Sequence, residues 1–280
     1  MNKIVPILFF TAFSLVKSDE VEGYRLISNF QNDNITDVEI MTEFSQSIYN
    51  YMSTFSASIK TEYVKNTESS YEHEFLQTWS DIISTNIRND KVRVNHEDQK
   101  LSGCQFSLFV DSTGSIEKVA GVNDRSREMI ESAESFSMFF GSNNLLYPFG
   151  SDSIRNVGDT WIITEEEDNL EELPGFESAA GRFKISTTYT LKKVKEKRGS
   201  TIAYINMESL LELNAVTNTW EESWEIDMRG RFKGIIRFDI TYGKLIKCKM
   251  SATFKGNGRD LIDDDEFTFF QMLDLRIKGK

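Results

Sequence analysis

Between Trp220 and Phe254 the side chains alternate in polarity at almost every residue, and few folds accommodate such a run. The even positions begin Trp220, Glu222, Trp224, Ile226 and Met228, while Glu221, Ser223, Glu225 and Asp227 stand between them. A period of two marks a β-strand with one buried face, because successive side chains point to opposite faces. Arg229-Gly230-Arg231 is read as a turn, after which Phe232, Gly234, Ile236 and Phe238 resume the even set against Arg231, Lys233 and Arg237. Only Ile235 is apolar and out of phase. The next reversal falls at Asp239-Ile240-Thr241-Tyr242-Gly243, since Asp bonds its own backbone and Gly readily takes φ > 0. Beyond it Ile246, Cys248, Met250, Ala252 and Phe254 alternate with Lys247, Lys249 and Lys255. The expectation is an antiparallel meander of three strands that pairs even residues with even, because a slip of one residue would turn the apolar set outward. In that arrangement acidic odd residues of the first strand lie beside basic odd residues of the second, at about 0.2–1 kcal/mol per pair.

The even face carries Trp220, Trp224, Phe232, Phe238 and Phe254, an aromatic surface too large to leave in water. It is either ordinary core or a face that a ligand completes. The candidate ligand-binding residues are therefore Trp220, Trp224, Phe232, Phe238 and Met250.

Met1-Asn2-Lys3 followed by the apolar run Ile4–Val16 has the form of a secretory signal peptide, with cleavage expected after Ser18. Thirteen residues interrupted by Pro6 are too few to span a bilayer as a helix, and no later segment reaches the required length. The expected location is therefore periplasmic or extracellular. The formal charge is −12, and removing Met1–Ser18 deletes two lysines and no acid. That balance argues against nucleic acid or an anionic membrane as an electrostatic partner, and no Lys/Arg cluster stands out to overrule it. An oxidising compartment would permit one disulfide between Cys104 and Cys248; both fall in the apolar phase of expected strands, which equally fits buried free thiols.

A weak internal repeat bears on architecture. A shift of 128 carries Phe55 onto Phe183, Ser58 onto Ser186, Leu108 onto Ile236 and Asp111 onto Asp239. The hairpin Cys104–Gly121, turning at Asp111–Gly114, then corresponds to Phe232–Met250. Phe44, Ile48, Met52, Phe55 and Ile59 have helical spacing, as do Phe75, Trp79, Ile83 and Ile87, but both stretches are rich in Ser, Thr, Tyr and Ile and are read as strands. Asp124–Gly141 is the one clear amphipathic helix: Asp124 caps it, Met129, Ala133, Phe136 and Phe140 form its apolar stripe, and Gly141 closes it. Val157-Gly158-Asp159 launches a strand at Trp161, Arg198-Gly199-Ser200 is a turn, and Phe267–Ile277 is a closing strand. The expected fold is mainly β, in two similar antiparallel halves of curved-sheet or half-barrel form, residues 19–141 and 142–280, with the helix 124–140 between them; the two halves could form one continuous domain.

Recognisable chemistry is sparse. His73 and His96 are the only histidines and lack the partners of a zinc site. The chain has no nucleophile elbow, phosphate-binding Gly loop or dinucleotide fingerprint. Asp263–Glu266 and Glu165–Asp168 lack the spacing of a calcium loop and read as solvated turns. Asn34-Ile35-Thr36 is a glycosylation sequon, meaningful only in a eukaryotic source. No cofactor and no catalytic residue is expected.

The segment Gln105–Val122, QFSLFVDSTGSIEKVAGV, is similar to a recurrent segment of an uncharacterised family of secreted bacterial proteins known only as a domain of unknown function. Tyr147-Pro148, Val157-Gly158-Asp159-Thr160-Trp161, Tyr189-Thr190-Leu191 and the hairpin ending in Asp239 and Gly243 follow in the family's order, so the resemblance spans most of the chain. Phe149-Gly150 departs from the family's direct run towards Val-Gly-Asp, and the lipid-attachment cysteine of many members is absent. The resemblance implies an exported or envelope protein of mainly β fold and assigns no activity. The leading expectation is a non-enzymatic exported protein that binds an apolar or amphiphilic ligand in a curved sheet. The alternative is a structural or protein-interaction module of the envelope with its aromatic face fully packed.

Overall fold

A computed structural model describes residues 23–26, 34–46, 49–64, 73–88, 91–94, 96–110, 116–132, 154–168, 179–218 and 223–279. The expected signal peptide, Trp220, the turn Asp111–Gly114 and the second half of the expected helix fall outside these residues.

The fold is one large antiparallel sheet of twelve strands. The N-terminal part supplies β2 (Asn34–Gln46), β3 (Tyr49–Val64), β4 (His73–Arg88), β5 (Lys91–Val94), β6 (Gln105–Val110) and β7 (Ile116–Gly121). The C-terminal part supplies β9 (Thr160–Glu167), β10 (Ala179–Lys197), β11 (Ser200–Asn218), β12 (Ser223–Asp239), β13 (Lys244–Asp260) and β14 (Glu266–Gly279). The order is β7-β6-β4-β3-β2-β14-β13-β12-β11-β10-β9, with β5 also on β4, so each part is a meander of sequence neighbours. They join where the last strand, β14, pairs with β2, Leu275 opposite Ile40. A separate ribbon pairs β1 (Tyr24–Arg25) with β8 (Ile154–Arg155). Short helices α1 (His96–Gln99) and α2 (Asp124–Ser132) lie on β4 and β7.

Composition wins over periodicity in β3 and β4. Their Phe, Trp and Ile residues recur at intervals that also fit a helix, but Ser, Thr and β-branched neighbours fit a pleated surface, and both segments are strands of 16 residues. Residues 229–231 correct the expected turn: they lie in the middle of β12, which runs unbroken for 17 residues. The even-odd phase persists through Gly230, and a true turn of two or three residues would have had to preserve it by coincidence. Among the described residues the ion pairs expected across that turn do not form either; Lys233 instead lies 3.6 Å from Glu208 on β11, and Arg237 stacks over Tyr204. The reversal at Asp239 is present, with Asp239 Oδ1 accepting from the Thr241 and Tyr242 amides at 2.9 and 3.1 Å and Gly243 at φ 57°. Arg198 and Gly199, both at positive φ between the partners Lys197 and Ser200, form the tight turn that suits the twist of paired strands.

Helix α2 is capped one residue earlier than expected. Asn123 Oδ1 accepts from the Ser126 amide at 2.9 Å, and Asp124 is instead the first helical residue, paired with Arg127. Asn at this position satisfies an amide that would otherwise lack a partner. Buried Met129 and Ser126 face the sheet, and Ser126 Oγ accepts from the Gln105 amide at 3.1 Å.

Candidate functional site

The inner face is built from rows of cross-strand neighbours. One row runs Leu191, Ile205, Ile236, Cys248, Ile277, Val38 across β10, β11, β12, β13, β14 and β2, and every member is essentially inaccessible. Two rows further along the strands come Thr187, Ser209, Phe232, Ala252, Leu273 and Thr42, still buried but with three hydroxyls. Thr187 Oγ1 and Ser209 Oγ are 2.8 Å apart and satisfy each other. Two rows beyond lie Phe183, Leu213, Met228, Gly256 and Phe269, and here all but Leu213 are only half-buried. In the next row Ile226 and Phe267 are half-buried beside buried Ala215 and Gly258, and Trp224 in the one after is half-buried. The face is thus sealed at one end and partly open at the other, where the aromatic and long apolar side chains are half-buried.

The open end has its own local chemistry. Gly230, Gly256 and Gly258 lie directly opposite Phe254, Phe269 and Phe267. A Cβ on Gly256 would stand 2.5 Å from the Phe269 ring, and one on Gly258 would stand 2.2 Å from the Phe267 ring. Each ring therefore lies across the bare backbone of the neighbouring strand, covering a glycine that could not cover itself. Phe232 and Phe254 meet edge to face at 5.2 Å, and Phe267 and Phe269 are 6.4 Å apart. Trp224 and Met228 pack against the edge of the core.

The candidate residues divide accordingly. Phe238 is 1 % exposed and Met250 3 %, so both belong to the sealed core. Phe232, at 5 %, marks the boundary, and Trp224 alone of the described candidates is at the open end. Alternation along one strand marks which face a residue joins but not how far along that face the cover extends. For the same reason the sequence reading missed Met228, Phe267 and Phe269; the Gly opposite Phe in neighbouring strands was the signal that would have found them.

Cys104 and Cys248 are buried free thiols, and the expected alternative of a disulfide is not formed. Cys104 precedes β6 and Cys248 is in β13, with β4, β3, β2 and β14 between them. Burial pushes the Cys248 thiol up to about 12, above the ordinary thiol range. The hydroxyl of Tyr189, stacked on Trp161 at 5.8 Å, is raised by burial and then by the charge of Glu165, against a hydrogen bond from Thr187 that lowers it. Both groups lose protons more readily in the unfolded chain, so their contribution to stability is complete below about pH 8.5 and declines as pH rises through the unfolded values of about 8.5 and 10. Melting temperature should hold between pH 7 and 8.5 and then fall, and Cys248→Ala should flatten the first part of that fall. Cys248 should also resist alkylation at pH 8 in the native protein and react on addition of denaturant; rapid native labelling would mean that the sealed end opens.

Of the two acidic runs, Asp263–Asp265 lies in a turn as expected, whereas Glu165–Glu167 belongs to the end of β9, paired with β10. Glu166 pairs with Lys184 at 2.8 Å and with Arg182, which also approaches Asp168 at 3.2 Å. In the β13–β14 turn Asp264 pairs with Arg259 and raises its guanidinium, while Asp260 Oδ1 accepts from the Ile262 amide at 2.8 Å. Among the described residues no group of three acids, histidines or cysteines is arranged to hold a metal ion. His96 is an exposed helix residue. Asn34 of the sequon lies in β2 opposite Thr61, within the sheet. No described helix is long and apolar enough to cross a membrane. No known family model matches the chain, and a search of curated proteins finds no significant match.

Proposed function

We propose that this is an exported, non-enzymatic protein that holds an apolar or amphiphilic ligand against the open end of the inner face, at Trp224, Met228, Phe267 and Phe269. The observation that carries this reading is the gradient of burial along one continuous apolar face, from the Ile236 row to the half-buried Phe269 row. A face of that kind offers water an aromatic lining next to a packed floor, which suits a lipid-like molecule more than a polar one. The hydroxyls of Thr187, Ser209 and Thr42 lie deeper on the same face and are already buried.

Two further features support a curved sheet of two related parts. Extra residues at Lys192 and Ile246, and Asp81 at φ 53°, shift the register of β10, β13 and β4, and such bulges bend strands. A shift of 128 carries β3, β4, β6 and β7 onto β10, β11, β12 and β13 in the same spatial order. Export rests on the form of residues 1–18, and an origin in the bacterial envelope rests on the resemblance carried by Gln105–Val122.

Native mass spectrometry of the chain isolated from its producing cell, followed by solvent extraction, tests the reading directly. A stoichiometric amphiphile should accompany the protein. Trp224→Glu should cost about 1 kcal/mol or less, since the charge can reach water, while binding of a fluorescent fatty-acid probe falls more than about tenfold, the loss of roughly 1.4 kcal/mol of contact. If Trp224→Glu instead abolishes folding, the open end is packed core and the envelope interaction module becomes the better reading.

A further inference from the structure

We propose that the outer face of the sheet, at the sealed end, is a docking surface for an anionic lipid bilayer. The chain as a whole carries −12, yet the register gathers charge of the opposite sign in one place. Lys193 lies opposite Tyr204, Tyr204 opposite Arg237, Arg237 opposite Lys247 and Lys247 opposite Lys278, a single row across β10, β11, β12, β13 and β14 that ends against Asp37 of β2. In the adjacent row Lys249 faces Arg276, whose Nη1 is 3.7 Å from Glu39. The hairpin beyond adds exposed Lys192, Lys195, Lys197 and Arg198, with Glu196 accepting from Thr201.

Like charges directly opposite each other destabilise a sheet. At the opposite end of β10, by contrast, Glu166 balances Arg182 and Lys184. Among the described residues none of Lys193, Arg237, Lys247 and Lys278 makes an ion pair. The cluster escapes a linear reading because its cations come from four strands, with Tyr204 of a fifth between them, and only the pairing assembles them.

Charge and shape together select a bilayer. Five strands at about 4.8 Å spacing make a contact roughly 19 Å wide, larger than a single small anion. Apolar groups stand among the cations: Ile235 is 50 % exposed beside Lys249, Tyr242 is 51 % exposed in the β12–β13 turn, and Tyr204 lies under Lys193 at 4.8 Å and Arg237 at 5.3 Å. Lysine stems, an aromatic ring and a lone aliphatic side chain interleaved with positive charge match the headgroup level of a membrane. A nucleic-acid backbone would satisfy the charges and leave Ile235 and Tyr242 against a polar partner. Acidic runs stand at the other end of the sheet, in the β13–β14 turn at Asp260–Glu266 and at the end of β9 beside Phe183 and Ile185, so the field along the strands favours one docking orientation with the open end directed away from the bilayer.

This inference does not depend on ligand binding at the open end. The test is co-sedimentation of the chain, as isolated from its producing cell, with phosphatidylcholine vesicles with and without phosphatidylglycerol. Wild type should pellet only with the anionic vesicles and should be released as salt rises. Arg237→Gln, Lys247→Gln and Lys278→Gln combined should weaken that binding about a hundredfold, with a melting temperature equal to or above wild type because like charges have been removed. Arg182→Gln with Arg259→Gln, at the acidic end, should leave binding unchanged. Failure of wild type to pellet with anionic vesicles at low salt, undiminished binding by the triple variant, or binding to single-stranded DNA without binding to vesicles would each overturn the proposal.

Discussion

Replacing Trp79 by alanine should remove about 4 kcal/mol of stability, in the range found when a buried tryptophan is cut to alanine. Trp79 is 0 % exposed and sits in β4, 6.2 Å from the ring of Phe55 and 6.0 Å from that of Phe106. Its Nε1 donates to Gln77 Oε1 at 3.2 Å, and Gln77 is itself buried, so the substitution also strips a partner from a polar group that water cannot reach. The backbone at Trp79 ties in the segment before β6, donating to the Cys104 carbonyl and accepting from the Gly103 amide. These bonds survive the change, so the loss should appear as a lower urea midpoint with an unchanged slope. Trp79→Phe keeps much of the ring volume and should lose less than half as much. A loss below about 1 kcal/mol for Trp79→Ala would mean that the side chain stands in a site able to collapse or fill with water.

Gly121→Val should detach helix α2 from the sheet and cost about 3 kcal/mol, the upper part of the usual range for overpacking. A Cβ at Gly121 would lie 2.3 Å from the Arg127 amide nitrogen and 2.6 Å from the Ser126 carbonyl carbon. Backbone atoms of a helix cannot rotate aside as a side chain could, so the helix must move bodily. That movement would break the bond from the Gln105 amide to Ser126 Oγ and lift Met129 out of the core. Arg125, which donates to the Lys100 and Ser102 carbonyls, would lose its anchors as well. Hydrogen exchange is the sharpest measurement. The amides of Ser126–Met129 should lose protection while those of β12 and β13 keep theirs, and uniform protection in the variant would show that α2 tolerates the displacement.

Both substitutions act on contacts that no linear pattern reveals, and the same distinction separates what was legible in this chain from what was not. The β character of β3 and β4, the Asp239–Gly243 reversal and the Arg198–Gly199 turn could all be read from residues a few positions apart, because strand alternation and turn chemistry are local. The inward set of β12 was legible for the same reason, although its continuity through Gly230 was not, since glycine between two arginines serves a turn and a ring-covered strand position equally well.

Long-range pairing supplied the rest. The closure of β14 on β2 joins residues near opposite ends of the chain, and nothing in either strand names its partner beyond a shared apolar phase. Stagger between strands decided that Phe238 and Met250 belong to sealed core while Trp224, Phe267 and Phe269 stand at an open end. The same register lined up lysines and arginines from separate strands across an acidic molecule. By itself, then, the sequence determined strand character, facing and the turns at Asp239 and Arg198, which depend on the chemistry of adjacent residues. Only the tertiary structure decided depth along the face and the company each charge keeps, because both depend on register between strands distant in sequence.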